Sequence, residues 1–228
     1  MKENLKIRCI KTKNKILTKY KIPTIMPQLQ FRLGIIAPSY SGKSNLIVNL
    51  LKNNVFKYNK IYKNNIFIFS KTAGLDDIYN ELKLPKSNII DNFDEAFINE
   101  ILDEQTENIN DGNSPNILFI IDDMVTDLDN QNQLIKKIFF NGRHYNLSVI
   151  ITSQSYHKIP KDVRLNLSHL ILFKIPEDDV KSVYKELPIN KKLFEYYYDE
   201  CTKKKYNFMY LDLKNQRWFH NFEYELFE

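Results

Sequence analysis

Residues 31–45 read FRLGIIAPSYSGKSN, and this stretch decides the fold. The apolar run Leu33 to Ala37 has the look of a buried strand. It empties into a Pro-Ser-Tyr-Ser turn and then into Gly42-Lys43-Ser44 at the head of a helical pattern. Strand, loop and helix in that order make a phosphate-binding loop. Pro38, Ser39, Tyr40, Ser41, Gly42, Lys43, Ser44 and Asn45 form its turn and helix entry. Backbone N–H groups there wrap the β-phosphate and Lys43 neutralises the β/γ oxygens; Ser44 offers its hydroxyl to Mg²⁺, and the helix N-terminus faces the anion. The pattern G-x-x-x-x-G-K-[ST] is met except at its first position, held by Ala37. A methyl fits there if the backbone stays at negative φ. A GKS on an ordinary surface turn is the competing reading, and the flanking strand and helix weigh against it. ATP with Mg²⁺ is the expected ligand.

Outward from this loop, apolar strand patterns alternate with helical ones. Strands are expected at 31–37, 65–70, 117–121, 147–152 and 169–175, with a short extended piece at 87–91. Helices are expected at 43–54, 76–83, 94–103, 130–141, 177–186 and 190–201, and DGNSP at 111–115 is the strongest turn cluster. FMYLDL (208–213) and RWFHNF (217–222) alternate about Lys-Asn-Gln and predict a C-terminal β-hairpin, into which Trp218 would pack. The fold class that follows is α/β: a P-loop NTPase of the RecA-like, additional-strand type. Its sheet should be mostly parallel and covered by helices on both faces.

Composition fits one such domain. The chain has 228 residues, 43% hydrophobic and 27% charged, enough for a sizeable core. Cys9 and Cys201 lie far apart and without metal-type spacing to the histidines, which predicts a reducing compartment and no zinc site. With no membrane-length apolar run and no signal-type N-terminus, a soluble intracellular protein is expected. Charge is unevenly placed: over residues 1–32, Lys2, Lys6, Arg8, Lys11, Lys13, Lys15, Lys19, Lys21 and Arg32 face a single acid, Glu3, in a chain of net +5. Residues 1–30 therefore read as a basic arm on a slightly acidic body, 31–228. Such an arm either contacts a polyanion such as DNA or is simply solvated.

The second half of the site lies in ILFIIDDM, 117–124. A phosphate loop needs a partner strand ending in an acid that holds Mg²⁺, the role expected of Asp122; Asp123 is placed to orient and polarise the attacking water. The rival reading makes both carboxylates mere caps of the next turn. The following strand ends in Thr152-Ser153-Gln154, where the Gln154 amide can sense the γ-phosphate or the water. Arg143, in Asn141-Gly142-Arg143-His144, is a candidate arginine finger acting on a neighbouring subunit, with Arg164 as its competitor.

Taken together, APSYSGKS, ILFIIDDM, NGRHYNLSVIITSQS and HLILFK resemble the viral DNA-packaging ATPases of the HerA/FtsK superfamily, of the poxvirus-like type found in large DNA viruses and virophages. The resemblance covers roughly residues 30–176. It implies nucleotide and metal binding at Lys43 and Ser44, Mg²⁺ at Asp122, water activation by Asp123 and sensing by Gln154. It also implies ATP-driven translocation of double-stranded DNA into a preformed capsid by a hexameric or pentameric ring. A capsid or portal-vertex protein would be the partner, and the host cytoplasm, the viral factory or the virion the place. Neither the arm nor the hairpin maps onto the family. Two other readings compete. A P-loop kinase would need an arginine-rich lid, and the chain has only Arg8, Arg32, Arg143, Arg164 and Arg217. An ATP-binding structural protein associated with DNA would not need Asp123 and Gln154.

Overall fold

Why the strands near the loop are so uniformly apolar is clear from their surroundings: each is covered on both faces. The computed structural model describes residues 18–72, 77–113, 115–124 and 132–226. Its strands are β1 (Arg32–Ile36), β2 (Ile66–Phe69), β3 (Ile89–Ile90), β4 (Ile117–Asp122), β5 (Leu147–Ser153), β6 (His169–Leu172), β7 (Met209–Asp212), β8 (Arg217–His220) and β9 (Tyr224–Glu225). They form one sheet in the order β3-β2-β4-β5-β1-β6-β7-β8-β9. Pairing is parallel from β3 through β6 and antiparallel from β6 through β9. β5 lies between β1, which feeds the loop, and β4, which ends in the acids. That is the additional-strand arrangement expected from the sequence.

The helices are α1 (Lys43–Lys52), α2 (Tyr58–Tyr62), α3 (Glu95–Asn110), α4 (Asn132–Phe139), α5 (Lys161–Leu165), α6 (Glu177–Glu186) and α7 (Lys191–Thr202). Strand alternation sorts their contacts. On β4, Ile117, Phe119 and Ile121 face a core built with α3, α4, α6 and α7, while Leu118 and Ile120 face the opposite core, built with α1 and α2. Gly34 on β1 is needed for a close approach, since a Cβ there would stand 2.8 Å from the Leu167 side chain.

Several boundaries differ from the sequence reading, each for a local reason. The segment expected as helix 76–83 is a 3₁₀ run, Asp77–Leu82. Asp94 caps α3 by accepting from Ala96 N and Phe97 N, and the helix continues to Asn110, where the Gly112 turn stops it. The helix expected at 130–141 is described as Asn132–Phe139, and a 3₁₀ turn, Gly142–Tyr145, precedes β5. β6 ends at Leu172 rather than at 175. Short α2 and α5 have too few turns to show a periodic pattern, and neither was anticipated. The C-terminal hairpin is present and gains a third strand, β9. Trp218 packs edge-on against Phe194 of α7 at 5.8 Å. Within the segment read as an arm, Ile22, Met26 and Leu29 are buried against the α1 side of the sheet; residues 1–17 lie outside the described region. Cys201 is buried, which pushes its thiol up to about 12 and leaves it inert.

Candidate active site

The phosphate loop leaves β1 at its carboxyl end, where the open edge of a parallel sheet presents loops to a ligand. Ala37 is buried, keeps a negative φ as its methyl requires, and donates N–H to Ser153 O on β5 at 3.0 Å. The loop is pinned by Ser41 Oγ donating to Pro38 O at 2.7 Å. Tyr40 projects fully into solvent, and Gly42 enters the helix at φ 95°, a left-handed conformation suited to glycine. No side chain caps α1, so its first N–H groups remain available to an anion.

Lys43 opens α1 and is only 8% exposed. Its Nζ lies 2.6 Å from Asp123 Oδ2 and 3.8 Å from Asp122 Oδ1. Gln154 Nε2 donates to the same Asp123 Oδ2 at 3.1 Å. Four expected residues, drawn from the ends of three adjacent strands, therefore converge on one point. Asp122, 4% exposed, is held from both sides: Thr152 Oγ1 donates to Oδ1 at 2.5 Å and Tyr79 OH donates to Oδ2 at 2.7 Å. Thr152 Oγ1 in turn accepts the Asp123 N–H at 3.1 Å, fixing the turn in which Asp123 adopts φ 55°. The two carboxylates thus differ in setting. One is buried and hydroxyl-bound; the other is partly exposed and faces the lysine.

A hard cation fits the donors present. Ser44 at the head of α1 offers a hydroxyl, and each Asp122 oxygen keeps a lone pair beyond the single hydrogen bond it accepts. Among the described residues there is no cluster of three or more His, Cys, Asp or Glu that could hold a metal by itself. Any Mg²⁺ would need the nucleotide's own oxygens.

Neither candidate arginine reaches this chain's own site, and a finger acting on a neighbouring subunit would not have to. Arg164 is consumed internally: Nε and Nη2 bind Glu186 at 2.9 and 2.5 Å, and Nη1 donates to Ile159 O at 2.7 Å. Its guanidinium also stacks over Tyr156 at 5.0 Å. These contacts give Arg164 a structural role and weigh against its use as a finger. Arg143 precedes β5, whose seven residues at about 3.3 Å each place it roughly 20 Å from the Asp123 end. Three residues escaped the sequence reading. Thr152 was visible in the strand but carried no motif. Tyr79 sits in a 3₁₀ run with no signal at all. Tyr206, 57% exposed, lies against the loop, its ring 3.1 Å from where a Gly42 Cβ would stand.

Comparisons with known proteins found related chains and related folds. The chain is 29% identical over 180 residues to the DNA packaging protein OPG160 of Variola virus, covering 72% of this chain and 61% of that one. OPG160 of Vaccinia virus (strain Copenhagen) is 28% identical over 174 residues with the same coverage. The chain thus spans about three fifths of the length of these curated relatives. Among solved structures, the DNA-packaging ATPase B204 of Sulfolobus turreted icosahedral virus shares the fold at TM-score 0.61 and 16% identity, over 85% of this chain and 97% of that one. B204 of Sulfolobus turreted icosahedral virus 2, in complex with ATP-gammaS, matches at TM-score 0.59 and 17% identity, over 84% and 96%. The Poxvirus A32 protein family model spans residues 23–199, from the first buried turn through most of α7, and the chain belongs to that family.

Proposed function

We propose that this chain is an ATPase that drives double-stranded DNA into a viral capsid. The observation that carries the reading is the convergence of Lys43, Asp122, Asp123 and Gln154 at the carboxyl ends of β1, β4 and β5. Lys43 and the α1 N–H groups would bind the β- and γ-phosphates, with Ser44 and Asp122 holding Mg²⁺, which offsets phosphate charge when bound. Asp123 would accept the proton of the attacking water as the β–γ bridging bond breaks, and Gln154 would orient that water. Tyr206 offers its exposed ring to the base. The names of the OPG160 and B204 relatives support DNA packaging as the purpose. A homo-oligomeric ring, a capsid or portal-vertex partner and a site in the viral factory or virion belong to the same proposal. So does the division into a basic segment, 1–30, and an ATPase domain. Arg143, exposed at the far end of the sheet, belongs to the proposal as an arginine finger for a neighbouring subunit's nucleotide, while Arg164, held by Glu186, does not.

Purified protein tests this directly. ATP turnover should rise on adding duplex DNA, and Lys43→Ala should abolish it by removing the loop's ammonium. A wild-type protein without turnover, or a Lys43→Ala protein that hydrolyses normally, would sink the proposal.

A further inference from the structure

Large apolar side chains stand in water at both ends of the central strands. Phe140, just after α4, and Leu165, at the end of α5, are 42% and 54% exposed beside the turn that carries Arg143. Tyr40, at the tip of the phosphate loop, is 96% exposed. Its backbone holds φ 61°, uncommon for a bulky residue, so the loop presents the ring outward rather than folding it back. Singly scattered apolar residues need no explanation. These flank the two cationic groups that a shared nucleotide would draw together.

Phe140 and Leu165 form the ridge between two hollows. One, of about 320 Å³, is lined by Arg32, Arg143 and Lys214 and by no carboxylate; the other, of about 470 Å³, has Lys136, Asn141 and Asp162 in its wall. Arg32 is buried, its Nε donates to Phe139 O, and among the described residues no carboxylate pairs with it. The basic hollow therefore lacks a counter-charge of its own. The nucleotide mouth at the other end of the sheet has the complementary make-up: Asp122 and Asp123 lie in it, and a bound triphosphate would add negative charge.

β1 and β5 run parallel, with the Arg143 turn before β5 and the phosphate loop after β1, so a chain cannot bring Phe140 onto its own Tyr40. A second copy can. Phe140 lies three positions from Arg143 and Tyr40 three from Lys43, and three extended residues span at most about 10 Å. Where Arg143 of one copy and Lys43 of the next meet on one γ-phosphate, the ridge and the ring are carried into the same contact. We infer that Phe140 and Leu165 of one copy pack on the Tyr40 ring of the next, forming the apolar part of a contact between two copies of this chain on the flank of Arg143. This contact rests on the arginine-finger reading above and names the surface that would hold the finger in place. An aromatic anchor in the desolvated centre with charge around it is the usual anatomy of a protein–protein contact.

A double-mutant cycle on self-association of the full chain tests it, read by sedimentation over a concentration series with a saturating non-hydrolysable ATP analogue. Phe140→Ala and Tyr40→Ala should each raise the midpoint concentration roughly ten-fold, and the double variant by well under the product, because both trim one contact. Leu165→Ala should behave as Phe140→Ala does. Tyr196→Ala, which trims an exposed ring on α7 that lines neither hollow, should leave the midpoint in place. Phe140→Ala should also shift ATP turnover to higher protein concentration while the dilute chain keeps wild-type affinity for a fluorescent ATP analogue, which shows that the site is still folded. Multiplicative effects of Phe140→Ala and Tyr40→Ala, or wild-type midpoints in Phe140→Ala and Leu165→Ala, would overturn the contact while leaving the finger and the ATPase standing. A wild-type chain that hydrolyses ATP and never self-associates would overturn the contact and the finger together. Coupled variants in an assembly whose Arg143→Ala form turns over normally would uphold the contact and remove the finger alone.

Discussion

Asp123→Asn should bind ATP more tightly than the wild type and hydrolyse it far more slowly. Lys43 Nζ sits 2.6 Å from Asp123 Oδ2, so a phosphate must compete with that carboxylate for the lysine. Bare Coulomb attraction at this distance is about 6 kcal/mol at an effective dielectric of about 20. Much of that is not recovered as stability. The Asp123 side chain is 36% exposed, and Asp122 at 3.8 Å keeps part of its hold on the lysine in either variant. A partly exposed pair of this kind is worth on the order of 1 kcal/mol. Removing the charge with a side chain of equal size therefore predicts roughly five-fold tighter ATP binding. Loss of the proton acceptor predicts a fall in turnover of about 10²–10⁴. Titration with a fluorescent ATP analogue gives the first number and single-turnover hydrolysis the second. Asp122→Asn should do the opposite for affinity, since one amide cannot accept from both Thr152 and Tyr79 where the carboxylate does. Weaker ATP binding by Asp123→Asn, or turnover within a few-fold of wild type, would refute the assignment of Lys43 and Asp123.

Thr152→Val should destabilise the fold by about 2–4 kcal/mol, because it strips a donor from buried Asp122 and an acceptor from the Asp123 N–H. Thr152→Ser should restore most of this in urea unfolding, and a valine variant of normal stability would count against the relay. Burial pushes the His169 imidazole down to about 4, so the unfolded chain binds more protons between that value and its ordinary value near 6.5. Stability is therefore full above this window and lost as pH falls through it, by on the order of 3 kcal/mol. His169→Gln should flatten that part of the stability–pH curve, and an unchanged slope would show that carboxylates alone account for it. Tyr206→Ala should weaken ATP binding by about 1–2 kcal/mol, roughly ten-fold, with Tyr206→Phe near wild type. Equal affinity in the alanine variant would remove the ring from the base site.

How much of this was legible in the sequence depended on whether the signal was local. The phosphate loop reads directly, since a strand, a glycine able to take positive φ and a helix head are consecutive. Asp122 and Asp123 read because β4 is apolar throughout and then stops in charge. Placing β5 between β1 and β4 needed the loop and the acidic strand to be recognised together, for nothing in LSVIITS fixes its neighbours. Tyr79 could not be found, since its partner Asp122 is 43 positions away and a lone tyrosine in a polar segment carries no period. Sequence alone ranked Arg143, in a loop after a helix and a glycine, ahead of Arg164 as a finger. Tertiary contacts add to that ranking: Glu186 and backbone carbonyls claim Arg164, while Arg143 stands beside Arg32 at the far end of the sheet.

The same logic accounts for a second aspartate where a longer carboxylate would have more reach. Position 123 must turn the chain sharply out of β4, and it does so at φ 55°, a region that Asp and Asn tolerate better than most residues. The Asp123 N–H is held by Thr152 Oγ1, which itself donates to Asp122, so one hydroxyl fixes the buried acid and the turn that aims the exposed one. From that turn a short side chain meets both Lys43 Nζ and Gln154 Nε2 at Oδ2. Backbone conformation thus selects the residue and threonine sets its direction. The carboxylate that would receive water's proton is also the one that would compete with phosphate for the lysine.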